Sequence, residues 1–418
     1  VVDTKKRNRH IWIFSLILGG LGFLGLILWL AYFRFIAYTD DAYVKGNQVV
    51  LTPLIDGFVT DIYTDDTFLV EKGQLLVQLD ETDAKIALDD AKENLAKTVR
   101  EVCQIFHRVF AYRSEIQARS AELIKAKQDW DHRIDVIYAG GVSLENLEHA
   151  EAALKANFFF LKETESMYQK EKSLVQGDSI ATNPMILGAA DRLKDAWVQL
   201  YRCRVYAPVR GLVAQRRVQV GMYLKAGDPM LVVIPLDQIW VNANYKETQM
   251  KKMRIGQKVT LTADLYGFGT RFHGEIVGLP GGAGNAFSLL PPQNLSGNWI
   301  KIVQRLPVRV ALDPEELKDH PLRLGLSMRA TTYLNTRGSG LVPRTSAGSP
   351  HYTTKIFDLE EIGVEPFIQE IIGKNLDPSL AFYLDQALPS EELETLMKVD
   401  DLMEWIGEKA SIEAIEGN

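Results

Sequence analysis

A seven-residue spacing, sustained along more than a hundred residues, constrains this chain more than any other feature. Leu88, Leu95, Val102, Val109, Ile116, Leu123, Trp130 and Ile137 follow one another at intervals of seven. Ala91, Ile105, Tyr112 and Ala126 fill the companion position three residues on, interrupted by Thr98 and Arg119. That period keeps one apolar seam facing a partner helix and predicts a left-handed coiled coil. The run ends at "YAGGVSLEN", where Gly140 and Gly141 stop the first helix and Ser143 caps the next, with Asn146 at the box position. The period then returns as Leu147, Leu154, Leu161, Tyr168 and Val175. It breaks at "VQGDSIATNPMILG", because Gly177 and Pro184 are poor helix-interior residues, and resumes as Ile186, Leu193 and Leu200. The 11-residue step across the break is one heptad plus four, a stutter. An antiparallel hairpin over residues 81–203 follows, with its tip near 138–143 and a length of about 85 Å.

The hairpin separates two fragments that match each other. "GFVTDIYTDDTFLVEKGQLLVQL" begins at Gly57 and "GLVAQRRVQVGMYLKAGDPMLVV" begins at Gly211, each with two glycines 16 residues apart. Val59 corresponds to Val213, and Val70 to Leu224. Neither fragment buries its apolar face alone. Residues 45–80 and 204–235 are therefore expected to close into one small sandwich, the pattern of a biotinyl/lipoyl domain cut at its central turn. Carrier domains present a lysine at that turn. Here no M-K-M stands there, and Asp83-Ala84-Lys85 falls on the opening helix, so no cofactor is expected.

After Pro235 come five stretches of alternating apolar and polar residues, "IWVNANYKETQMKKM", "QKVTLTADLYG", "RFHGEIVGL", "IKIVQRLPVRVAL" and "LRLGLSMRATTYL". They predict a β-barrel over residues 236–335. A long Gly/Pro/Asn-rich connection within it carries Phe287, Leu289, Leu290 and Trp299, a pattern that favours a docked, functional loop. Residues 336–350 read as a flexible linker containing Leu341-Val342-Pro343-Arg344, and 351–418 as an acidic, amphipathic, helical tail.

Near the start, Ile11–Phe33 is a 23-residue run without a charge, long enough to span a bilayer core of roughly 30 Å. Lys5, Lys6, Arg7 and Arg9 precede it, placing residues 1–10 in the cytoplasm and the bulk of the chain outside. The anchor is taken as residues 11–36, single-pass and uncleaved, because the run is too long for a signal peptide and no A-x-A site follows. Ser15, Gly19 and Gly22 are its candidates for close helix packing. The fold class is therefore α+β, elongated and multidomain.

The net charge of −7 is uneven, since the 351–418 tail carries 16 Asp/Glu against 4 Lys and leaves the rest at +5. No concentrated basic face appears, which argues against nucleic acid as a partner. Cys103 and Cys203 fall far apart on the folded hairpin, so no disulfide is expected. His132 and His149 come opposite each other beside Asp131 and Glu148, but no third ligand has a fixed spacing, and a metal site is set aside. No nucleophile–His–acid set, phosphate loop or metal motif appears, so the chain reads as a non-enzyme.

The order of anchor, half-sandwich, hairpin, half-sandwich and barrel resembles the HlyD-type membrane fusion proteins, the periplasmic adaptors of Gram-negative transport systems. "TDDAYVKGNQ" (39–48), "NANYKETQMKKMRIGQ" (242–257) and "AFSLLPPQNLSGNWIKIVQRLPVRV" (286–310) make the likeness EmrA-like, over roughly residues 5–335. The resemblance implies an adaptor between an inner-membrane major-facilitator drug/proton antiporter and a TolC-like outer-membrane channel, assembled as trimers or hexamers. It also implies channel docking through an Arg…Leu…Ser pattern at the hairpin tip, near Arg133, Val136 or Ile137, and Ser143, with Gly140, Gly141 and Leu144 beside them. The competing reading is an adaptor for a type I secretion system with an ABC exporter. A membrane-anchored scaffold without a transport partner is a third.

Overall fold

A computed structural model describes residues 4–31, 33–137, 141–267, 269–283, 303–336, 338–342, 348 and 350–388. The chain divides into two compact units: residues 1–80 with 204–357, and residues 81–203 with 358–418.

In the first unit, the helix α1 (Thr4–Ala31) leads through a short 3-10 turn (Phe33–Phe35) into strand β1 (Ile36–Gly46). Apolar side chains such as Trp12, Leu16, Leu21 and Phe23 are exposed on all sides of α1. Among the described residues no helix is long and apolar enough to cross a membrane. The expected end of the anchor at residue 36 is too late, because Ile36 already pairs with Tyr333.

β1 is also where the barrel departs from expectation. Strands β10 (Ile239–Lys246), β11 (Lys258–Ala263), β12 (Phe272–Gly278), β13 (Arg305–Leu312) and β14 (Ser327–Tyr333) come from the expected region. The barrel closes only because β1 inserts between β10 and β14, in the order β1-β10-β13-β12-β11-β14. The alternation of β1 is hidden by a register shift between Thr39 and Ala42, which moves its buried phase from Ala37 and Thr39 to Ala42 and Val44. Asp41 at the shift accepts from Asn244 Nδ2 at 2.9 Å and Arg305 Nη1 at 2.7 Å, which ties the bulge to the neighbouring strands. Inside, the Tyr245 hydroxyl and Thr332 Oγ1 are 2.8 Å apart, surrounded by Val241, Leu261, Phe272, Val308 and Met328. The short helix α5 (Pro314–Asp319) follows β13, capped by Asp313. Ser339 N donates to Ile255 O at 2.7 Å and Ile255 N to Gly340 O at 3.2 Å, so the expected flexible linker is pinned to the barrel at this point.

The two matching fragments interleave. β2 (Val49–Leu51), β3 (Gly57–Ile62), β4 (Leu69–Val70) and β5 (Leu75–Leu79) come from the first, and β6 (Arg204–Tyr206), β7 (Gly211–Ala214), β8 (Tyr223–Leu224) and β9 (Leu231–Ile234) from the second. They form two four-stranded sheets, β2-β9-β7-β4 and β6-β5-β3-β8, each drawing strands from both fragments. An internal two-fold exchanges the sheets. Thr67 N donates to Val213 O at 3.0 Å, and its counterpart Gly221 N donates to Val59 O at 2.8 Å. Likewise Gly73 N donates to Ala207 O and Gly227 N to Pro53 O, at 2.8 and 3.0 Å. Val59, Val213, Val70 and Leu224 are all buried, as their matched positions require. The repeated glycines have different reasons: Gly73 and Gly227 hold positive φ, +83° and +92°, whereas a Cβ on Gly211 would lie 2.5 Å from Ile234 O. The sheets begin at Val49 rather than residue 45, since Lys45 and Gly46 belong to β1.

The second unit holds α2 (Thr82–Ile137), α3 (Leu144–Ser173) and α4 (Pro184–Arg202), with α6 (Val364–Asn375) from the tail. Leu95, Val102, Val109, Ile116, Leu123 and Trp130 are buried, as are Leu147, Leu154, Leu161, Tyr168, Ile186 and Leu193, so the seven-residue spacing marks the seam. The return arm breaks between α3 and α4 as expected, and Asn183 caps α4 ahead of Pro184. Neither Cys103 nor Cys203 forms a disulfide, and both are buried. The first expected tail helix is α6, which packs against α2 and α4, while residues 389–418 lie outside the described set.

Candidate functional site at the hairpin tip

α2 ends at Ile137 and α3 begins at Leu144, with residues 138–140, Gly140 among them, outside the described set. The seam closes toward the tip through Trp130 and Leu147, both buried. Ile134 and Ile137 then pack partly buried against it. Gly141 N donates to Val136 O at 3.2 Å, returning the chain onto the end of α2. Ser143 is the N-cap of α3, with extended backbone (φ −77°, ψ 153°), and its hydroxyl accepts from Asn146 N at 3.3 Å.

Arg133 links the arms. Its Nη1 donates to Asn146 O in the first turn of α3 at 3.0 Å, and its Nη2 lies 3.1 Å from Asp129 Oδ2. The guanidinium, expected as a docking group, is therefore occupied within the hairpin. Ile137 is also largely an inward residue. Among the described residues of the tip, Val136, 42% exposed, and Leu144, 65% exposed, are the large apolar side chains presented outward. A polar capped turn flanked by two exposed aliphatic side chains can seat in an apolar groove.

The remaining candidates are dispersed. Ser15, Gly19 and Gly22 lie in α1, where a Cβ on either glycine would meet nothing within 4 Å. Phe287, Leu289, Leu290 and Trp299 fall outside the described residues. His149 lies 3.9 Å from Glu145, and no cluster able to hold a metal occurs among the described residues. Phe159 and Phe160, exposed on α3 with Arg119 over the Phe160 ring at 5.6 Å, were legible only as the run "FFF", of which Phe158 alone turns inward.

A coiled-coil hairpin spliced between the halves of an internally two-fold sandwich, in a chain that also closes a barrel, defines a class of protein built around an inserted helical arm. Residues 82–203 match the family described as EMRA, alpha-helical hairpin domain. The chain is 40% identical over 386 residues to the probable multidrug resistance protein EmrK of Escherichia coli K12, spanning 89% of this chain and 98% of that protein. It is 36% identical over 375 residues to the multidrug export protein EmrA of Haemophilus influenzae, spanning 90% and 96% respectively. A solved structure of the periplasmic adaptor protein EmrA aligns with 72% of this chain and 98% of its own, at 17% identity and a TM-score of 0.37. The chain belongs to the EmrA family of multidrug export proteins.

Proposed function

We propose that the chain is the periplasmic adaptor subunit of a multidrug efflux pump. In this reading it joins an inner-membrane major-facilitator drug/proton antiporter to a TolC-like outer-membrane channel. The observation that carries the reading is the identity shared with a multidrug resistance protein along nearly its whole length, 98%. Several features support it. The apolar side chains of α1, exposed on all sides, suit a single inner-membrane anchor with residues 1–10 in the cytoplasm. Ser15, Gly19 and Gly22 in that helix would meet a neighbouring helix. The sandwich reads as a lipoyl-like domain that carries no cofactor. The loop bearing Phe287, Leu289, Leu290 and Trp299 is assigned to contact with the transporter. Trimers or hexamers would gather several hairpin tips at one channel.

The test charges the exposed tip. In the full chain, Val136→Asp with Leu144→Asp is expected to abolish drug resistance and crosslinking to the outer-membrane channel, at unchanged protein level. These residues lie outside the seam, so the hairpin itself is retained. Full resistance in that variant would remove the tip from the mechanism.

A further inference from the structure

Past Val109, α2 buries one residue per heptad: Ile116, Leu123, Trp130. Between Leu95 and Val109 it buries a second stripe as well, Ala96, Val99, Cys103 and Phe106, at helical spacing. A two-helix hairpin has one seam, so a second stripe requires a third helix. The tail supplies it. Val364, Ile368, Ile371 and Ile372 form the buried face of α6, and Phe367 packs against Trp197 of α4 at 5.6 Å between centroids. Glu360, itself buried, receives Arg202 Nε at 2.9 Å and Nη2 at 2.8 Å. Asp377 pairs with His107 at 2.9 Å, and the Tyr383 ring lies 5.4 Å from that of Phe110.

The same segment reaches the break in the return arm. Ile180 N donates to Tyr383 O and Ala181 N to Leu384 O, both at 3.0 Å. These two amides lie where the interrupted helix supplies no carbonyls for them. The tail therefore splints the discontinuity as well as covering the second stripe.

We propose that residues Asp358–Leu388 are a detachable strap whose release uncovers a helix-binding groove on the hairpin and turns the α3–α4 break into a hinge. α6 has only 12 residues, begins at Gly363 in the left-handed region (φ +89°) and has no side-chain cap. A helix of that length is not stable alone, so it folds when it docks and unfolds when it leaves. Its edge contacts, to Arg100, His107 and Lys194, are exposed. The groove uncovered would be lined by Ala96, Val99, Cys103, Phe106, Phe110 and Trp197, and its occupant is the chain's own α6. Cys103 reports the state directly, since it is buried beneath the turn at Asp377, whose backbone N–H points to its sulfur.

The test is thiol labelling of the full chain in detergent, in a Cys203→Ser background. The Cys103 thiol should react with a maleimide about tenfold or more faster than the thiol introduced by Ile116→Cys, because it needs only local release. Equal rates would mean that Cys103 is reached only when the whole hairpin opens, and the strap would not be detachable. Phe367→Asp should raise Cys103 labelling and the exchange rate of the Ile180 and Ala181 amides together, with helicity near that of the parent. Unchanged Cys103 labelling, or labelling raised while those amides keep their protection, would overturn the proposal. Should Phe367→Asp fail to accumulate, Glu360→Gln is expected to move both readouts in the same direction to a smaller extent. None of these readouts depends on drug export, so the strap and the adaptor reading fail separately.

Discussion

The base and the distal half of the hairpin share the helix α2 yet are packed by different rules. At the base, α2 buries Leu95, Ala96, Thr98, Val99, Val102, Cys103, Ile105, Phe106 and Val109, because α4 covers one face and α6 another. Beyond Val109 the inward set thins to Ile116, Leu123 and Trp130, with only α3 opposite. Per turn, the distal half buries far less apolar surface, and its stability rests on single residues whose flanks are already exposed. Rigidity should therefore fall from base to tip. Such a gradient leaves the capped turn at the tip as the most compliant part of the arm.

The largest expected effect tests that gradient directly. Phe106→Ala removes a fully buried ring shared by α2 and the tail and should cost ~3–5 kcal/mol, whereas Leu123→Ala should cost about 2, the low end for a site that can collapse against its neighbours. Amide exchange of α2 under mild denaturant measures both. Equal losses would mean that the hairpin is uniformly packed and that the third helix adds nothing.

Much of this architecture is legible in the residues. The heptad positions from Leu95 to Trp130 are the buried seam, Ser143 is the cap, and Val59 with Val213 occupy equivalent core positions. Three features were not legible, each for a physical reason. β1 escapes because the bulge at Asp40-Asp41 shifts its alternation by one, so neither half shows a full period of two. The stripe Ala96, Val99, Cys103, Phe106 is visible in the chain, but its partner α6 lies more than 250 residues away and nothing local links them. At the tip, side-chain direction decides roles that spacing cannot: Arg133 turns to Asn146, Ile137 turns inward, and Val136 and Leu144 face out.

A smaller effect separates the tip from the seam beneath it. Ser143→Ala removes the side chain that accepts from Asn146 N in the first turn of α3 and should cost about 1 kcal/mol. The loss should appear as faster exchange near Asn146 and Leu147, with the Ile116 and Leu154 region unchanged. Spread of the effect down the hairpin would show that the two arms open as one unit, against a graded arm.

The smallest expected effect is an acid limit on the base, and its sign follows from Asp377. The Ser379 hydroxyl and backbone N–H, then His107, hold this carboxyl down to about 2, against an ordinary 3.8. A carboxylate held below its unfolded value favours the docked tail wherever it is ionised in both states, above about pH 4. That advantage falls away as the pH drops from about 4 toward 2, where the proton is taken up first by the released tail. Protection of the Ile180 and Ala181 amides, corrected for intrinsic exchange, should therefore fall as the pH drops below about 4. Asp377→Asn should flatten that acid limb while leaving distal amides as they were. An acid limb that persists in Asp377→Asn would place the sensitive group elsewhere in the base, and one that reaches the distal half equally would erase the distinction between the two ends of the arm.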